Sequence, residues 1–228
     1  EEHKTAFIEY DPTAAIALLD DMGLVDVDGD GFRDRLDGSK LTLDLQYSNQ
    51  GVPVPTHELV KDYWEAVGVA VTLKEVTSDE YRQRANTNGA EVITWLFDGT
   101  SGAIIIGNDE MLVPPFGEPF NPGVAYLWDE WVKSDGATGI EPPADAISLY
   151  DLAAQFQQYE LGTSESDALG EQIVDIHVNN LWKIGIAGNV KQPIIHTNRL
   201  GNFGPYTVVS YDYYRAYPMI PSQWFISE

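Results

Sequence analysis

Five aspartates fall within twelve residues in the run Asp26-Val27-Asp28-Gly29-Asp30-Gly31-Phe32-Arg33-Asp34-Arg35-Leu36-Asp37. Counted from Asp26, the carboxylates occupy positions 1, 3, 5, 9 and 12, with Gly31 at position 6 and the Phe32 carbonyl at position 7. That is the ligand ladder of a calcium loop, in which oxygen donors surround a hard divalent cation and glycine makes the sharp turn. The run predicts structural Ca²⁺ held by Asp26, Asp28, Asp30, Phe32, Asp34 and Asp37, a stabilising clip and not a catalytic centre. Asp37 departs from the bidentate Glu usual at the last position. The same residues also suit a metal-free turn, because Asp and Gly are favoured in turns for their own backbone chemistry.

A second candidate group is aromatic. Trp95 closes an apolar strand, Asp98 follows it, and Trp128 and Trp131 flank a stretch rich in Gly and Pro. Flat indole faces stack on sugar rings or pack on peptide side chains, and an Asp at a strand end binds an ammonium or accepts from sugar hydroxyls. The competing expectation is that these tryptophans are packing residues, as buried aromatics usually are.

Other chemistry finds little support. His3, His57, His177 and His196 are scattered, with no His-Glu-x-x-His pair. Cysteine is absent, which excludes disulfides and thiolate sites. No nucleophile elbow, P-loop or dinucleotide fingerprint occurs. No cofactor for chemistry is expected. Carboxylate pairs abound, so a glycoside hydrolase using two of them is the enzymatic alternative, though in so acidic a chain any pair could be nominated.

The elements that must position these residues are written in the periodicity. Asp11 as N-cap, Pro12 and Gly23 bracket a first helix. Leu41, Leu43 and Leu45 alternate as a strand after the Asp run. A second helix capped by Thr56 presents Leu59, Val60, Tyr63, Trp64 and Val67 and ends at Gly68, and Val69, Val71 and Leu73 alternate again. A short helix over 79–85 and a strand over 92–96 continue an α/β layer built on crossovers. Residues 97–123 read as an irregular excursion, 144–160 and 165–181 as helices, and 184–187 and 193–196 as short strands. At 228 residues, 43% hydrophobic and 11% aromatic, the chain has the composition of a folded, soluble protein. With 36 acidic and 13 basic residues its net charge of −23 repels phosphate backbones and anionic membranes, so nucleic acid is not an expected partner. The start Glu1-Glu2-His3 lacks Met and any apolar leader, and no run approaches the length of a membrane span.

Several passages resemble the extracellular solute-binding proteins of ABC importers, in the oligopeptide- and dipeptide-binding class known as family 5. They are the Tyr10-Asp11-Pro12 helix with Gly23-Leu24, the Asp26–Asp34 loop, Tyr63-Trp64-Glu65-Ala66-Val67-Gly68-Val69 and Tyr81-Arg82. Leu127-Trp128-Asp129-Glu130-Trp131, Gly139-Ile140-Glu141-Pro142-Pro143, Leu181-Trp182-Lys183-Ile184-Gly185, Asn198-Arg199-Leu200-Gly201-Asn202 and Pro221-Ser222-Gln223-Trp224-Phe225 resemble a subgroup that includes oligosaccharide binders. The resemblance implies one α/β lobe of a two-lobed periplasmic-binding-protein-like fold of the type II class, with a mixed sheet flanked by helices. It implies residues 1–205 as a C-terminal ligand-binding lobe and 206–228 as a tail returning to an N-terminal lobe absent from this fragment. It further implies a monomeric, non-enzymatic protein, periplasmic or extracellular and anchored as a lipoprotein, that delivers an oligopeptide or oligosaccharide to an ABC permease. Trp95-x-x-Asp98 resembles the place where peptide binders hold the ligand's α-amino group, although Gly99-Thr100-Ser101-Gly102 departs from the stretch that follows in them.

Overall fold

The computed structural model describes residues 2–96, 111–117, 123–186, 195–204 and 221–227. The chain divides into two units, Glu1–Leu96 with Glu110–Ser148 and Phe97–Asp109 with Leu149–Glu228.

In the first unit, helix α1 (Pro12–Asp21) starts as its sequence dictates, with the Asp11 carboxylate accepting from the Ala14 N–H at 2.9 Å. Strands β1 (Thr42–Ser48), β2 (Ala70–Val76) and β3 (Val92–Thr94) form a parallel sheet of order β2-β1-β3. Helix α2 (Val54–Glu65) connects β1 to β2, and α3 (Ser78–Asn86) connects β2 to β3. Parallel neighbours require such crossovers, and the order places a switch point between β1 and β3, where consecutive connections leave in opposite directions. Alternation along β1 serves both faces of the sheet. Leu45 and Tyr47 join Val71 in a core packed by Val54, Val60 and Trp64 of α2, whereas Gln46 and Ser48 are buried on the other face, where Ser48 meets Ser78 at the start of α3.

Three expectations change here. Helix α2 begins at Val54 with Pro53 as an uncapped N-cap, so Thr56 lies inside its first turn; Pro53 and Pro55 set the φ angles and lack the N–H groups a cap would serve. Leu59 and Tyr63 are exposed, and His57 is the residue of α2 buried with the core face. Within the predicted excursion, residues 111–117 are well buried at Met111, Val113 and Phe116, so this part is interior packing. Helix α4 (Tyr126–Lys133) follows and was not anticipated.

Helix α5 (Ala144–Phe156) crosses the division between the units and buries Ala146, Leu149 and Ala153. In the second unit, α6 (Ser164–Asn180) is capped by the Thr163 hydroxyl and buries Ile173. The short strands here are β4 (Leu200–Gly201) and β5 (Phe225–Ile226), paired antiparallel. Residues 184–186 are not strand, and 187–194 lie outside the described residues.

Candidate functional site

The Asp run is held together from inside by a residue that sequence reasoning passed over. Arg33 is buried, and its guanidinium donates to the carbonyls of Val67 (2.7 Å), Leu24 and Ile16 (3.5 Å) and pairs with the Asp20 carboxylate at 2.6 Å. Its own N–H donates to Gly68 at 2.7 Å. One cation thus serves the C-terminal regions of both α1 and α2, the ends at which helix dipoles favour positive charge. Gly68 has φ +89°, and a Cβ there would lie 3.0 Å from Arg33 Cγ, so glycine is demanded twice over.

Around this hub the carboxylates divide. Asp26, Asp28 and Asp34 each bring an oxygen within 4.8 Å of the others, a spacing that fits donors on a sphere of radius about 2.3–2.6 Å. Asp26 accepts from the N–H groups of Gly29 (2.7 Å) and Gly31 (2.9 Å), and Asp34 from Val27 (2.8 Å), which aims these carboxylates. A carboxylate oxygen has lone pairs to spare for a cation. Asp30 is engaged elsewhere. It pairs with Lys40 at 2.8 Å, the same ammonium that sits 4.0 Å over the Phe32 ring, and it accepts from the Phe32 N–H. The Lys40 bond, then the Phe32 N–H, hold its carboxyl below the usual carboxylate range. Asp37 caps its own turn through the Ser39 hydroxyl (2.6 Å) and N–H (2.9 Å), which lower its carboxyl likewise.

Of the second group, Trp95 lies at the carboxyl ends of the parallel strands, at the switch point where open α/β sheets place ligands. Thr94 pairs in register with Tyr47 and therefore faces α2. There its hydroxyl meets His57 Nε2 at 2.6 Å, and the imidazole stacks on Tyr47 with centroids 4.2 Å apart and planes 16° from parallel. Trp95, next in the chain, belongs to the opposite face. Its ring lies 4.9 Å from that of Tyr81 on α3, with the Arg82 guanidinium 6.0 Å from its centroid. Gly51 admits the indole closely, since a Cβ there would sit 3.2 Å from it. The half-buried Trp95 is thus fixed from behind, with Ser48, Ser78 and Gln50 forming a chain of hydrogen bonds beside β1.

Trp128 and Trp131 share one side of α4, both half-buried, and the indole of Trp131 lies against Gly136. The opposite side of α4 carries Tyr126, Asp129, Glu130 and Lys133, which with Asn86 and Ser134 line a polar concavity of about 400 Å³. Helical spacing directs both tryptophans away from that concavity. Asp98 lies outside the described residues.

The parallel β-α-β unit carries an aromatic at its strand-end switch point, the position where open α/β sheets place ligands. Residues 1–103 match the family described as bacterial extracellular solute-binding proteins, family 5 Middle. Among solved structures, the fold is similar to an oligopeptide-binding protein OppA (TM-score 0.66, 26% identity, 79% of this chain and 30% of that one). It is also similar to the periplasmic binding protein MelB of Agrobacterium fabrum C58 in complex with stachyose (TM-score 0.58, 17% identity, 77% and 25%). A third is a periplasmic oligopeptide-binding protein of an oligopeptide ABC transporter from Thermotoga maritima (TM-score 0.53, 15% identity, 78% and 31%). The chain spans less than a third of the length of each. No curated protein matches it. The α/β architecture is that of a type II periplasmic-binding-protein lobe, and the family and these neighbours are binding proteins. Nothing in the comparisons supports the glycoside hydrolase alternative.

Proposed function

We propose that this chain is part of the solute-binding component of an ABC transporter, which captures an oligopeptide or oligosaccharide and hands it to a membrane permease. The observation that carries this reading is Trp95, anchored by Tyr81 and Gly51 at the β1/β3 switch point of a family 5 segment. Trp95, Asp98, Trp128 and Trp131 are the proposed ligand-facing residues. In this reading residues 1–205 are the C-terminal lobe and 206–228 a tail returning to an N-terminal lobe; 205–220 lie outside the described residues, and β5 pairs with β4. The protein works as a monomer in the periplasm or outside the cell, tethered as a lipoprotein. Among the described residues no helix is long and apolar enough to cross a membrane. Calorimetric titration of the full-length protein with oligopeptide and oligosaccharide sets tests the proposal: heat that saturates with one class supports it, and no saturable heat from either refutes it.

We also propose a structural Ca²⁺ in the Asp run, on the strength of the three convergent carboxylates Asp26, Asp28 and Asp34. The Phe32 carbonyl, Asp30 and Asp37 complete the shell once Lys40 and Ser39 yield their partners. The donor set is all hard oxygen, which suits Ca²⁺ over the softer transition metals. Melting with and without calcium tests it.

A further inference from the structure

His57 is fully buried, and its Nδ1 has no hydrogen-bond partner. A neutral imidazole tolerates this state, using Nε2 for Thr94 and leaving Nδ1 as an unpaired acceptor or weakly placed donor. An imidazolium would carry two N–H donors and a charge into the same apolar pocket, with one donor unpaired. Burial accordingly lowers the His57 pKa from its ordinary value of 6.5. The elements packed around the ring offer the cation little relief. Glu58 and Glu75, the latter in register with Tyr47, are exposed. Lys61 on the next turn of α2 is positive and already engaged with Glu65 and the Val71 carbonyl. Tyr47 offers its ring face, and β3 contributes only the Thr94 hydroxyl.

The partner gives this histidine a reach beyond its own packing. Thr94 is the last residue of β3, and Trp95 follows it on the other face of the sheet. Whatever holds Thr94 fixes the azimuth at which the next side chain leaves the strand. Strand β3 is three residues long and, among the described residues, pairs with β1 alone, so few described ladder bonds constrain its end. We propose that neutral His57 is a positioning residue for Trp95, clamping Thr94 from behind the sheet, and that acid releases the clamp and disorders the Trp95 face. This rests on Trp95 being the ligand-facing residue, but it is read without ligand.

The experiment is ¹⁹F NMR of protein carrying 5-fluorotryptophan, with the Trp95 resonance assigned as the one lost in Trp95→Phe. As pH falls below about 6.5 and through the lowered His57 pKa, the Trp95 resonance should shift or broaden. In His57→Gln, which can still bond Thr94 and does not titrate, it should stay fixed. In Thr94→Val it should already be displaced at about pH 7.5 and no longer follow pH. A Trp95 resonance that ignores pH in the wild type, or moves equally in His57→Gln, overturns the proposal. If His57→Gln does not fold, the His57 ring itself decides, since ring-carbon shifts titrating at the ordinary 6.5 overturn it and a lower midpoint tracked by Trp95 supports it. Failure of the capture reading would instead appear as absent calorimetric binding with this coupling intact.

Discussion

The Asp run and the strand-end aromatic site belong to the same unit, yet they are assembled by opposite means. In the first, carboxylates bond to backbone N–H groups a few residues away, and a buried guanidinium bonds to backbone carbonyls and to Asp20. In the second, His57, Thr94, Tyr47, Tyr81 and Trp95 come from two helices and two strands and meet through stacking and one side-chain bond. Charge-assisted bonds to backbone carbonyls are individually strong and leave severe penalties when cut. Stacked rings tolerate small displacements, and this suits a surface that must adjust to a ligand. The loop is therefore the fixed end of the unit and the strand edge its adjustable end.

The sharpest way to break that contrast is Arg33→Ala. It strands the carbonyls of Val67, Leu24 and Ile16 and leaves Asp20 unpaired, at the junction of α1, α2 and the loop. Asp20 is half exposed and regains water, so the cost comes from the stranded carbonyls, about 1–3 kcal/mol for each left unsatisfied. Urea denaturation should show a loss of that order, larger than for any substitution at Trp95, Trp128 or Trp131. A loss under about 1 kcal/mol would mean that the hub is dispensable and the contrast false.

Next in size is the response to calcium. At a hundredfold excess over its dissociation constant, a ligand bound only by the native state raises the melting temperature of a domain this long by about 5–10 °C. Chelator should reverse the rise, and Asp26→Asn should diminish it. Melting unchanged by calcium or chelator would make Asp26, Asp28 and Asp34 a metal-free turn already satisfied by the N–H groups of Gly29, Gly31 and Val27.

What could be read in the sequence follows the same divide. The first helix, the alternating strands and the Asp turns declare themselves because their causes are local: a cap three residues from its target, or a glycine at a left-handed position. Helix α4 left a signal that went unread, with Tyr126, Asp129, Glu130 and Lys133 on one side and Trp128, Trp131 and Val132 on the other. His57 also had one, standing a helical period from Val60 and Trp64 on the core face of α2. Its bond to Thr94 had none, since 37 residues separate the two and only the sheet order joins them. Arg33 was masked by the acids around it. A lone arginine in an Asp-rich run reads as a surface counter-ion until the ends of α1 and α2 are seen to converge on it.

Acid should weaken the strand edge more than the loop. Because His57 has a folded pKa below 6.5, the unfolded chain takes up the proton first as pH falls. Its contribution is fully present above 6.5 and is lost from there down to the folded pKa, by at most about 1.4 kcal/mol per pH unit. His57→Gln should flatten that part of the pH–stability curve. The carboxyls of Asp30 and Asp37 have the same sign but a lower window, since stability tied to their lowered pKa values is lost only as pH drops below the ordinary carboxylate range.

The smallest expected effect separates the tryptophans themselves. Trp95→Ala in the full-length protein should cost about 0.5–1.5 kcal/mol of ligand binding, the contribution of a stacking face beyond area burial, with little change in stability. Trp131 presses on the Gly136 turn that follows α4, so Trp131→Ala should lose stability as well as affinity if it does both tasks. Several kcal/mol of lost stability with unchanged affinity would identify it as a packing residue alone. Calorimetry and urea denaturation on the same two variants make the comparison. If Trp95→Ala destabilises the fold more than Trp131→Ala does, then Trp95 is the packing residue and Tyr81 and Gly51 hold it as core. The ligand face would then have to be sought on the polar side of α4, where Tyr126, Glu130 and Lys133 border open space.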